Sequence, residues 1–363
     1  MSAHVVDVPC ASKDYQVHVG RGLVDEVGPI VGSLLGTPEC CIVSDDTVDA
    51  LYGDRVQSSL AGAGIEAPRI TFPAGERYKR LATLETILER IASHEMDRKG
   101  VVVAVGGGVT GDMGGLAAAL YLRGCRLVQV PTSLLAMVDS SVGGKTAVDL
   151  AAGKNLCGAF LQPEVVIADV ETLSTLPASQ LTDGCGEVIT HGVLADEVLF
   201  ERLAASPINS AGHDLDELAD VVARNVEIKR DVVAADEREQ GVRQMLNLGH
   251  TIGHAIEAAS GFVLGHGASV AVGLCCIARA SAAEGWCAAD VPGRIEACVA
   301  AYGLPTDTDI DHDTLMGYLA HDKKRSAAGY SVVIPRRIGE VELRRVSPEA
   351  MRSLVDAGCG TSR

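Results

Sequence analysis

The stretch "GVVVAVGGGVTGD", residues 100–112, decides the fold. Its apolar, β-branched beginning predicts a strand that is buried on both faces and ends in glycines. The following "GLAAALYLRG", residues 115–124, predicts a buried helix. A strand, a glycine turn and a helix in this order are typical of an α/β protein with a parallel sheet.

The glycines of this stretch suggest a ligand. Gly106, Gly108 and Gly111 fit a GxGxxG spacing, in which backbone N–H groups approach a pyrophosphate at a helix N-terminus. A purely structural glycine turn is the alternative. The acid that usually binds the ribose about 20 residues further on is not obvious here, and Asp112 lies inside the turn instead. We therefore expect a nucleotide site built differently from the Rossmann one.

Strand and helix patterns alternate on both sides of the glycine turn. The sequence predicts a helix at 79–96, with apolar residues at helical spacing, and strands at 15–20, 39–48, 69–76, 126–133 and 164–170. After about Leu181 the patterns predict helices at 218–239, 247–267 and 268–286 and a strand pair within 330–346. We expect an α/β nucleotide-binding domain at 1–181 and a mostly helical metal- and substrate-binding domain at 182–363.

Composition narrows the class of protein. The 363 residues are too many for one typical core. A net charge of −17 argues against a nucleic-acid partner, although local basic clusters can still attract a small anion. The start of the chain lacks the pattern of a signal peptide, and no apolar run is long enough to span a bilayer. The 11 cysteines are scattered without a CxxC pair, so we expect reduced thiols and a cytoplasmic protein without a membrane partner.

Two lysines are candidates for anion binding. "DSSVGGKT", residues 139–146, is similar to a phosphate-binding P-loop, but Asp139 stands where that motif requires glycine. We reject the P-loop interpretation and keep Lys145, together with Lys154 in "AGKN", as anion-binding candidates. A solvated surface lysine is the alternative for each.

Three histidines are candidates for metal binding. His250 and His254 are four residues apart, so they share one helix face, and His266 follows in "LGHG". Thr251 stands where a zinc protease has the glutamate of HExxH. A catalytic metal takes about three protein ligands, which could be all three histidines or two of them with a distant carboxylate. Spacing alone leaves this choice open.

Many motifs in register resemble the 3-dehydroquinate synthase family of sugar phosphate cyclases. The resemblance extends from about Tyr15 to about Val346. It depends on "GGGVTGD", "YLRG", "QVPTSLLAMVDSSVGGKTAV", "GKN", "GAFLQP", "DEREQGVRQMLNLGHTIGHAIE", "LGHG" and "DKK", in that order.

The resemblance implies cofactors and site residues. It implies a divalent metal, zinc or cobalt, held by Glu187, His250 and His266, with His254 helping proton transfer near the substrate. It implies bound NAD, with matching positions Asp45, Ala74, Gly75, Glu76, Arg77, Tyr78, Lys79, Gly108, Val109, Thr110, Gly111, Asp112, Thr132, Ser133, Lys145, Lys154, Thr172, Leu173, Ser174 and Thr175. The substrate positions are Arg123, Asp139, Lys145, Asn155, Lys229, Glu239, Arg243, Asn247 and, preferred over Lys323, Lys324.

The implied reaction is the phosphate-eliminating ring closure of the shikimate pathway, in aromatic amino acid biosynthesis. It converts 3-deoxy-D-arabino-heptulosonate 7-phosphate to 3-dehydroquinate and phosphate. NAD+ oxidises a ring hydroxyl that the metal acidifies, phosphate is eliminated, NADH returns the hydride, the ring opens and an internal aldol step closes the carbocycle. Lysines and arginines at the matching positions suit an anionic sugar acid phosphate. The resemblance also implies a homodimer.

One position departs from the family. "EVITHG", residues 187–192, carries Thr190 where the family commonly has lysine, and His191 follows. Loss of one charge-assisted hydrogen bond costs about 1.5–3 kcal/mol, or about 10- to 150-fold in rate. We therefore expect reduced or altered activity, with His191 as a partial substitute. Cys185, close to Glu187, is interpreted as a small buried residue rather than a metal neighbour.

Three alternatives remain. Another sugar phosphate cyclase would act on a substrate without a carboxylate, and Thr190 is the feature that favours it. A metal-dependent alcohol dehydrogenase of the glycerol dehydrogenase kind shares the glycine turn but needs few anion-binding cations. A non-catalytic relative is disfavoured because the metal and nucleotide motifs are intact.

Overall fold

The computed structural model describes residues 3–210, 212–320, 325–326 and 329–360. The chain forms two compact units, one of Met1–Leu176 with Asp214–Arg238 and the other of Pro177–His213 with Glu239–Arg363. The predicted boundary after residue 181 lies within five residues of the first division, after Leu176.

The first unit is built on a seven-stranded sheet. Its strands are β1 (His4–Val8), β2 (Tyr15–Gly20), β3 (Cys40–Asp45), β4 (Arg69–Phe72), β5 (Val101–Gly106), β6 (Arg126–Pro131) and β9 (Val165–Asp169). Their order in space is β1-β2-β9-β6-β5-β3-β4. All neighbours are parallel except the antiparallel edge pair β1 and β2. The predicted parallel α/β sheet is therefore confirmed. A separate antiparallel hairpin, β7 (Lys145–Leu150) with β8 (Gly153–Phe160), was not among the predicted elements.

Helices cover both faces of this sheet. They are α1 (Val27–Leu35), α2 (Asp46–Val48), α3 (Asp54–Gly62), α4 (Leu81–Ser93) and α5 (Gly108–Leu120). In β5, Val101, Val103 and Val105 pack into one core with residues of α1 and α3, whereas Val102 and Ala104 pack into another with residues of α4 and α5. The continuous apolar run of β5 is thus explained by burial on both faces.

Helix α5 begins seven residues earlier than the predicted helix at 115–124. Because glycine lowers helix propensity, the sequence did not predict a helix in the glycine-rich first turns of α5. They are required for packing. A Cβ on Gly114 would lie 2.7 Å from the Cβ of Ala104, and one on Gly115 would lie 2.4 Å from Cγ2 of Thr146.

Helix α8 (Leu215–Ala235) belongs to the first unit, although the sequence placed it in the second domain. It contacts β1 and β2. Val222 and Val226 are buried on this helix, which explains why a segment surrounded in sequence by second-unit helices packs with the sheet.

The second unit is mostly helical, as predicted. It contains α6 (Ala178–Ala195), α7 (Glu197–Ala205), α9 (His250–Ala259), α10 (His266–Ala283), α11 (Val291–Ala301), α12 (His312–Leu319) and α13 (Pro348–Gly358). The predicted strand pair is confirmed as β11 (Gly329–Arg337) with β12 (Glu340–Val346), joined by the short β10 (Arg325–Ser326). The helix predicted at 247–267 was wrong in extent, because α9 ends at Ala259 and His266 begins α10.

The expectation that no apolar run is long enough to span a bilayer was wrong for helix α10, which has the required length and apolar composition; no other helix does among the described residues. In the folded chain 78% of it is buried. This burial is typical of a core helix, so its apolar composition is explained by packing.

Candidate active site

The glycine turn joins β5 to α5, with Gly107 as the residue before the helix. A Cβ on Gly107 would lie 3.3 Å from the hydroxyl of Ser133, and one on Gly108 would lie 3.2 Å from that of Ser140. The hydroxyls of two further loops therefore lie against the turn, and the helix N-terminus provides unpaired N–H groups. This arrangement fits a ligand that carries phosphates.

Asp45 lies where a ribose-binding acid is expected. It is the last residue of β3, which neighbours β5 in the sheet. One carboxylate oxygen accepts hydrogen bonds from the N–H groups of Thr47 and Val48, and the other accepts from the hydroxyl of Thr110 at 3.0 Å. Because the neighbouring strand precedes β5 in the chain, the acid comes before the glycines instead of about 20 residues after them.

Lys79, Asp112 and Asn155 form what we call the lysine network. The buried ammonium of Lys79 lies 2.6 Å from the carboxylate of Asp112 and donates to the side-chain oxygen of Asn155 at 2.5 Å. Burial raises the pKa of Asp112 to about 6, although the charge of Lys79 and its hydrogen bond lower it. Lys154 lies 3.3 Å from Glu76 at the edge of this group. Predicted nucleotide residues and the predicted substrate residue Asn155 are therefore in direct contact.

The remaining predicted nucleotide residues lie in loops that follow strands of the same sheet. Thr132 follows β6 and donates its N–H to the carbonyl of Gly106. The segment Val170–Thr175 forms a 3-10 turn after β9. The phenol oxygen of Tyr52 lies 2.7 Å from the hydroxyl of Thr175. The further residues of these loops and turns are Ala74, Gly75, Arg77, Tyr78, Thr172, Leu173 and Ser174. Val109 and Gly111 lie instead in the first turn of α5.

Two predicted substrate residues of the first unit pair with each other. Lys229 on α8 donates hydrogen bonds to both the carboxylate and the carbonyl oxygen of Asp139, and its side chain is 6% exposed. Asp139 lies in a single π-helical turn, Ala136–Ser140, and such turns are frequent at functional sites. Lys145 is exposed at the start of β7.

Three predicted substrate residues have strained backbones. Arg123, Asn155 and Glu239 have φ of 65°, 53° and 57°, and they are half of the six non-glycine residues with positive φ that the described part of the chain contains. Such conformations cost about 1–3 kcal/mol and concentrate at functional sites. This coincidence supports their assignment independently of the motifs.

A short segment of the second unit carries three predicted substrate residues. Asn247 donates its side-chain N–H to the carboxylate of Glu239 at 3.0 Å. Arg243 is 1% exposed and lies in the 3-10 turn Val242–Asn247, directly before α9. The turn thus joins the predicted anion-binding arginine to the helix that carries the first histidines. Lys324 lies outside the described residues.

The histidine cluster consists of His250, His254, His266 and Glu187. The three imidazoles each offer a nitrogen within 4.8 Å of the others. One oxygen of Glu187, Oε1, lies 3.1 Å from Nε2 of His250 and 3.0 Å from Nε2 of His266. The structure thus brings together the three predicted metal ligands, with His254 beside them. Its ring centroid lies 5.3 Å from that of His250.

Close helix packing creates this cluster. A Cβ on Gly186 would lie 2.2 Å from the carbonyl oxygen of Gly267, so α6 and α10 touch beside Glu187 and His266. A Cβ on Gly253 would lie 2.8 Å from the carbonyl oxygen of Ser269, so α9 and α10 touch between the histidines. Larger residues at these positions would separate the helices and the ligand atoms they carry.

The carboxylate of Glu187 and the imidazole of His266 shift each other's pKa. Burial raises the pKa of Glu187, but the charges and hydrogen bonds of His250 and His266 outweigh it and hold the pKa well below its ordinary value. Burial lowers the pKa of His266, but Glu187 and Glu257 raise it to about 10. The nitrogen and oxygen donors of this group are the ligands that zinc and cobalt accept.

The position that departs from the family lies on the same helix. Thr190 is three residues after Glu187 on α6, is fully buried, and donates its hydroxyl to the carbonyl of Gly186 at 2.9 Å. His191 is 1% exposed. The thiol of Cys185 is buried and lies 3.2 Å from the carbonyl oxygen of Leu181, and burial raises its pKa. Cys185 therefore has the features of the small buried residue that we expected.

The two-domain fold, with a glycine turn in an α/β unit and a histidine–carboxylate group in a helical unit, is similar to that of solved sugar phosphate cyclases. The structure matches 2-deoxy-scyllo-inosose synthase, complexed with carbaglucose-6-phosphate, NAD+ and Co2+, with a TM-score of 0.88, 26% identity and coverage of 98% of this chain and 100% of that one. It matches 2-epi-5-epi-valiolone synthase from Streptomyces hygroscopicus, bound to NAD+ and Zn2+, with a TM-score of 0.85, 26% identity and coverage of 94% and 95%.

Sequence similarity identifies the family within the sugar phosphate cyclases to which the chain belongs. Residues 69–183 and 184–325 match the N-terminal and C-terminal domains of 3-dehydroquinate synthase. The chain is 42% identical to 3-dehydroquinate synthase of Paracoccus denitrificans over 98% of its own length and 99% of the relative's. It is 44% identical to that of Symbiobacterium thermophilum, covering 93% and 96%. The chain belongs to the 3-dehydroquinate synthase family.

Proposed function

We propose that the protein converts 3-deoxy-D-arabino-heptulosonate 7-phosphate to 3-dehydroquinate and phosphate, a step of the shikimate pathway. The observation that carries this proposal is the 42% identity to a 3-dehydroquinate synthase over 98% of the chain. Thr190 is the one departure that we find among the cationic and metal-ligand positions of the family.

The donor set of the second unit fits a divalent cation, zinc or cobalt. A carboxylate and two imidazole Nε2 atoms leave a coordination position for a substrate oxygen, as catalytic metal sites require. The proposed ligands are Glu187, His250 and His266, and the glycine turn with its neighbouring loops is the proposed NAD site. When bound, such a cation would make a substrate hydroxyl more acidic, and NAD would supply a reversible acceptor for the hydride of the carbon that bears this hydroxyl.

The residues of the chain bind and orient an anionic substrate. Lys145, Lys229 and Arg243 suit the phosphate and the carboxylate, because ionised donors make strong hydrogen bonds to oxyanions. Arg123 and Lys324 complete the proposed cation set. The sugar hydroxyls are proposed to form hydrogen bonds with Asp139, Asn155, Glu239 and Asn247. His254 is proposed to hold and move a proton near the substrate.

Two other activities have specific support. A cyclase that acts on a sugar phosphate without a carboxylate is favoured by Thr190 and by the fold match at 26% identity. A dehydrogenase shares the fold, since a probable glycerol dehydrogenase of Sinorhizobium meliloti matches with a TM-score of 0.58 at 17% identity. The cations at the motif positions argue against the dehydrogenase.

The decisive experiment measures phosphate release from the heptulosonate phosphate by the purified protein, with NAD at a small fraction of the substrate concentration. We expect many phosphates per NAD, no build-up of absorbance at 340 nm, and loss of activity after chelation that zinc or cobalt restores. Parallel reactions with glucose 6-phosphate test the second cyclase activity.

Each alternative has its own result. NADH that accumulates in proportion to the substrate would identify a dehydrogenase. Phosphate release from glucose 6-phosphate, without release from the heptulosonate phosphate, would identify the other cyclase. Absence of turnover with every substrate would overturn the proposal.

We further propose a homodimeric, cytoplasmic protein with a small-molecule substrate and no membrane or nucleic-acid partner. All 11 cysteines are free in the structure, which agrees with a reducing compartment. Analytical ultracentrifugation of the purified protein tests the dimer, and thiol titration of freshly lysed cells tests the state of the cysteines.

A further inference from the structure

Glu257 is a buried carboxylate beside the histidine cluster that the proposed mechanism does not use. It lies on α9, is 5% exposed, and its Oε2 lies 3.4 Å from Nδ1 of His266. A carboxylate that is almost removed from water needs a compensating partner. His266 is one of its partners.

Each of the two imidazoles that face Glu187 also has a hydrogen-bond acceptor at its other ring nitrogen, Nδ1. Each directs Nε2 at the same oxygen of Glu187. The Nδ1 of His250 lies 3.0 Å from the carbonyl oxygen of Leu248, and the Nδ1 of His266 faces the carboxylate of Glu257. An acceptor at Nδ1 favours the proton there and leaves the lone pair of Nε2 for a ligand.

The two partners differ in kind. The carbonyl of Leu248 is neutral and at normal hydrogen-bonding distance, and it is held by the backbone of the residues before α9. The carboxylate of Glu257 is charged, and its contact is longer than the usual 2.7–2.9 Å of charge-assisted hydrogen bonds. Glu257 therefore acts on the imidazole through a long hydrogen bond and through its negative charge, and both make Nε2 a stronger electron donor.

The position of His266 makes such a partner necessary. Like His250 at the start of α9, it is the first residue of its helix, but its side chain is 29% exposed, compared with 12% for His250. A more exposed ring is less restricted by packing. A fixed acceptor at Nδ1 compensates for this.

We propose that Glu257 is a positioning residue that orients His266 and increases the affinity of the histidine cluster for a divalent cation, without being a ligand itself. This inference deepens the proposed function and rests on its metal site. Loss of such a partner typically weakens metal binding about 10- to 100-fold.

The test measures the dissociation constant of Co2+ by competition with a chromophoric chelator, on full-length metal-free protein. Glu257→Gln keeps the shape and a hydrogen-bond acceptor but removes the charge, and we expect about 10- to 100-fold weaker binding. The visible spectrum of bound Co2+ should keep its band positions, because the ligands are unchanged. Glu257→Asp restores the charge at a shorter reach, and we expect part of the affinity to return.

A matched control is Glu296→Gln. Glu296 on α11 pairs with Arg279 of α10 at 2.7 Å, so this variant also removes a carboxylate that contacts α10, at a position away from the histidines. We expect the Co2+ dissociation constant of this variant to stay within about twofold of the unmodified protein. Melting of the metal-free proteins shows whether Glu257→Gln weakens the fold itself.

Three results would overturn the inference. They are Co2+ binding by Glu257→Gln within twofold of the unmodified protein, an equal weakening in Glu296→Gln, and a shift of the Co2+ bands that identifies Glu257 as a ligand. Failure of the proposed function would be seen in the unmodified protein and not only in the variants. In that case the unmodified protein itself would not bind Co2+ tightly, or would bind it and release no phosphate.

Discussion

The lysine network of the first unit and the histidine cluster of the second differ in whether groups outside the proposed ligand-binding residues also hold them. Lys79 is paired with Asp112 and Asn155, which are themselves proposed ligand-binding residues. In the histidine cluster, the Nδ1 atoms of His250 and His266 contact groups outside the proposed ligand set. The lysine network therefore satisfies its charges among the residues that are proposed to bind the ligand. The histidine cluster is oriented in advance, which lowers the free-energy cost of binding.

The variant with the largest expected effect changes the histidine cluster. Glu187→Gln removes the only carboxylate among the proposed ligands, and the neutral amide is a poor substitute. Metal polarisation contributes several kcal/mol, and a loss of about 4 kcal/mol lowers the rate about a thousandfold. Phosphate release and the metal content of the purified variant are the measurements.

Glu197→Gln provides the control for this variant. Glu197 pairs with Arg294 near the surface of the same unit, and we expect nearly full activity. A Glu187→Gln protein that keeps its metal and more than a tenth of its activity would contradict the assignment of the histidine cluster as the catalytic centre.

Lys79→Met tests the lysine network of the first unit. Removal of one member of a buried ion pair costs about 3–5 kcal/mol, so we expect that loss in the unfolding free energy of the NAD-free first unit at pH 7.5. The pKa of Asp112, already raised to about 6, rises further without the ammonium, so the carboxyl group is neutral at pH 5. The loss relative to the unmodified protein should therefore shrink as the pH falls from 7.5 to 5. Urea unfolding by circular dichroism measures it.

Two references accompany that measurement. Trp286 is the single tryptophan and lies in the second unit, so its fluorescence reports unfolding outside the lysine network. Lys154→Met removes a partly exposed pair with Glu76 and should cost no more than about 1 kcal/mol. Equal losses in both variants, or no change with pH, would show that the buried pair has no special role.

Thr190→Lys tests whether a cation close to the histidine cluster increases turnover. Thr190 shares a face of α6 with Glu187, so a lysine there would introduce the missing cation close to the cluster. We expect phosphate release to increase by about 10- to 150-fold at most, which corresponds to about 1.5–3 kcal/mol. Thr190→Met has similar bulk without charge. Equal turnover of the two variants would show that the departure from the family has no electrostatic consequence.

The smallest expected effect concerns backbone strain in the first unit. Arg123 has φ of 65°, a conformation that costs residues with a Cβ about 1 kcal/mol or more and glycine little. Arg123→Gly should therefore be more stable than Arg123→Ala by about 1 kcal/mol, whereas both should lose activity. Thermal unfolding checks the first expectation and phosphate release the second. Greater stability of the alanine variant would argue against stored strain.

The sequence predicted the parallel sheet and the pairing of His250 with His254 because both depend on local periodicity. Glu187 could be found only through resemblance, since the glycines that bring α6 to α10 are 81 positions apart, at 186 and 267. The strain at Arg123 was not predictable, because only the surrounding structure imposes a positive φ on an arginine. The start of α5 was missed because its glycines serve packing rather than helix propensity.

The contact between Glu187 and His266 joins residues 79 positions apart. A cation held by both would cross-link the second unit of a chain whose 11 cysteines are all free. Because ligands that bind only the folded state stabilise it, the supply of that cation would determine how long the enzyme survives in the cell as well as how fast it works.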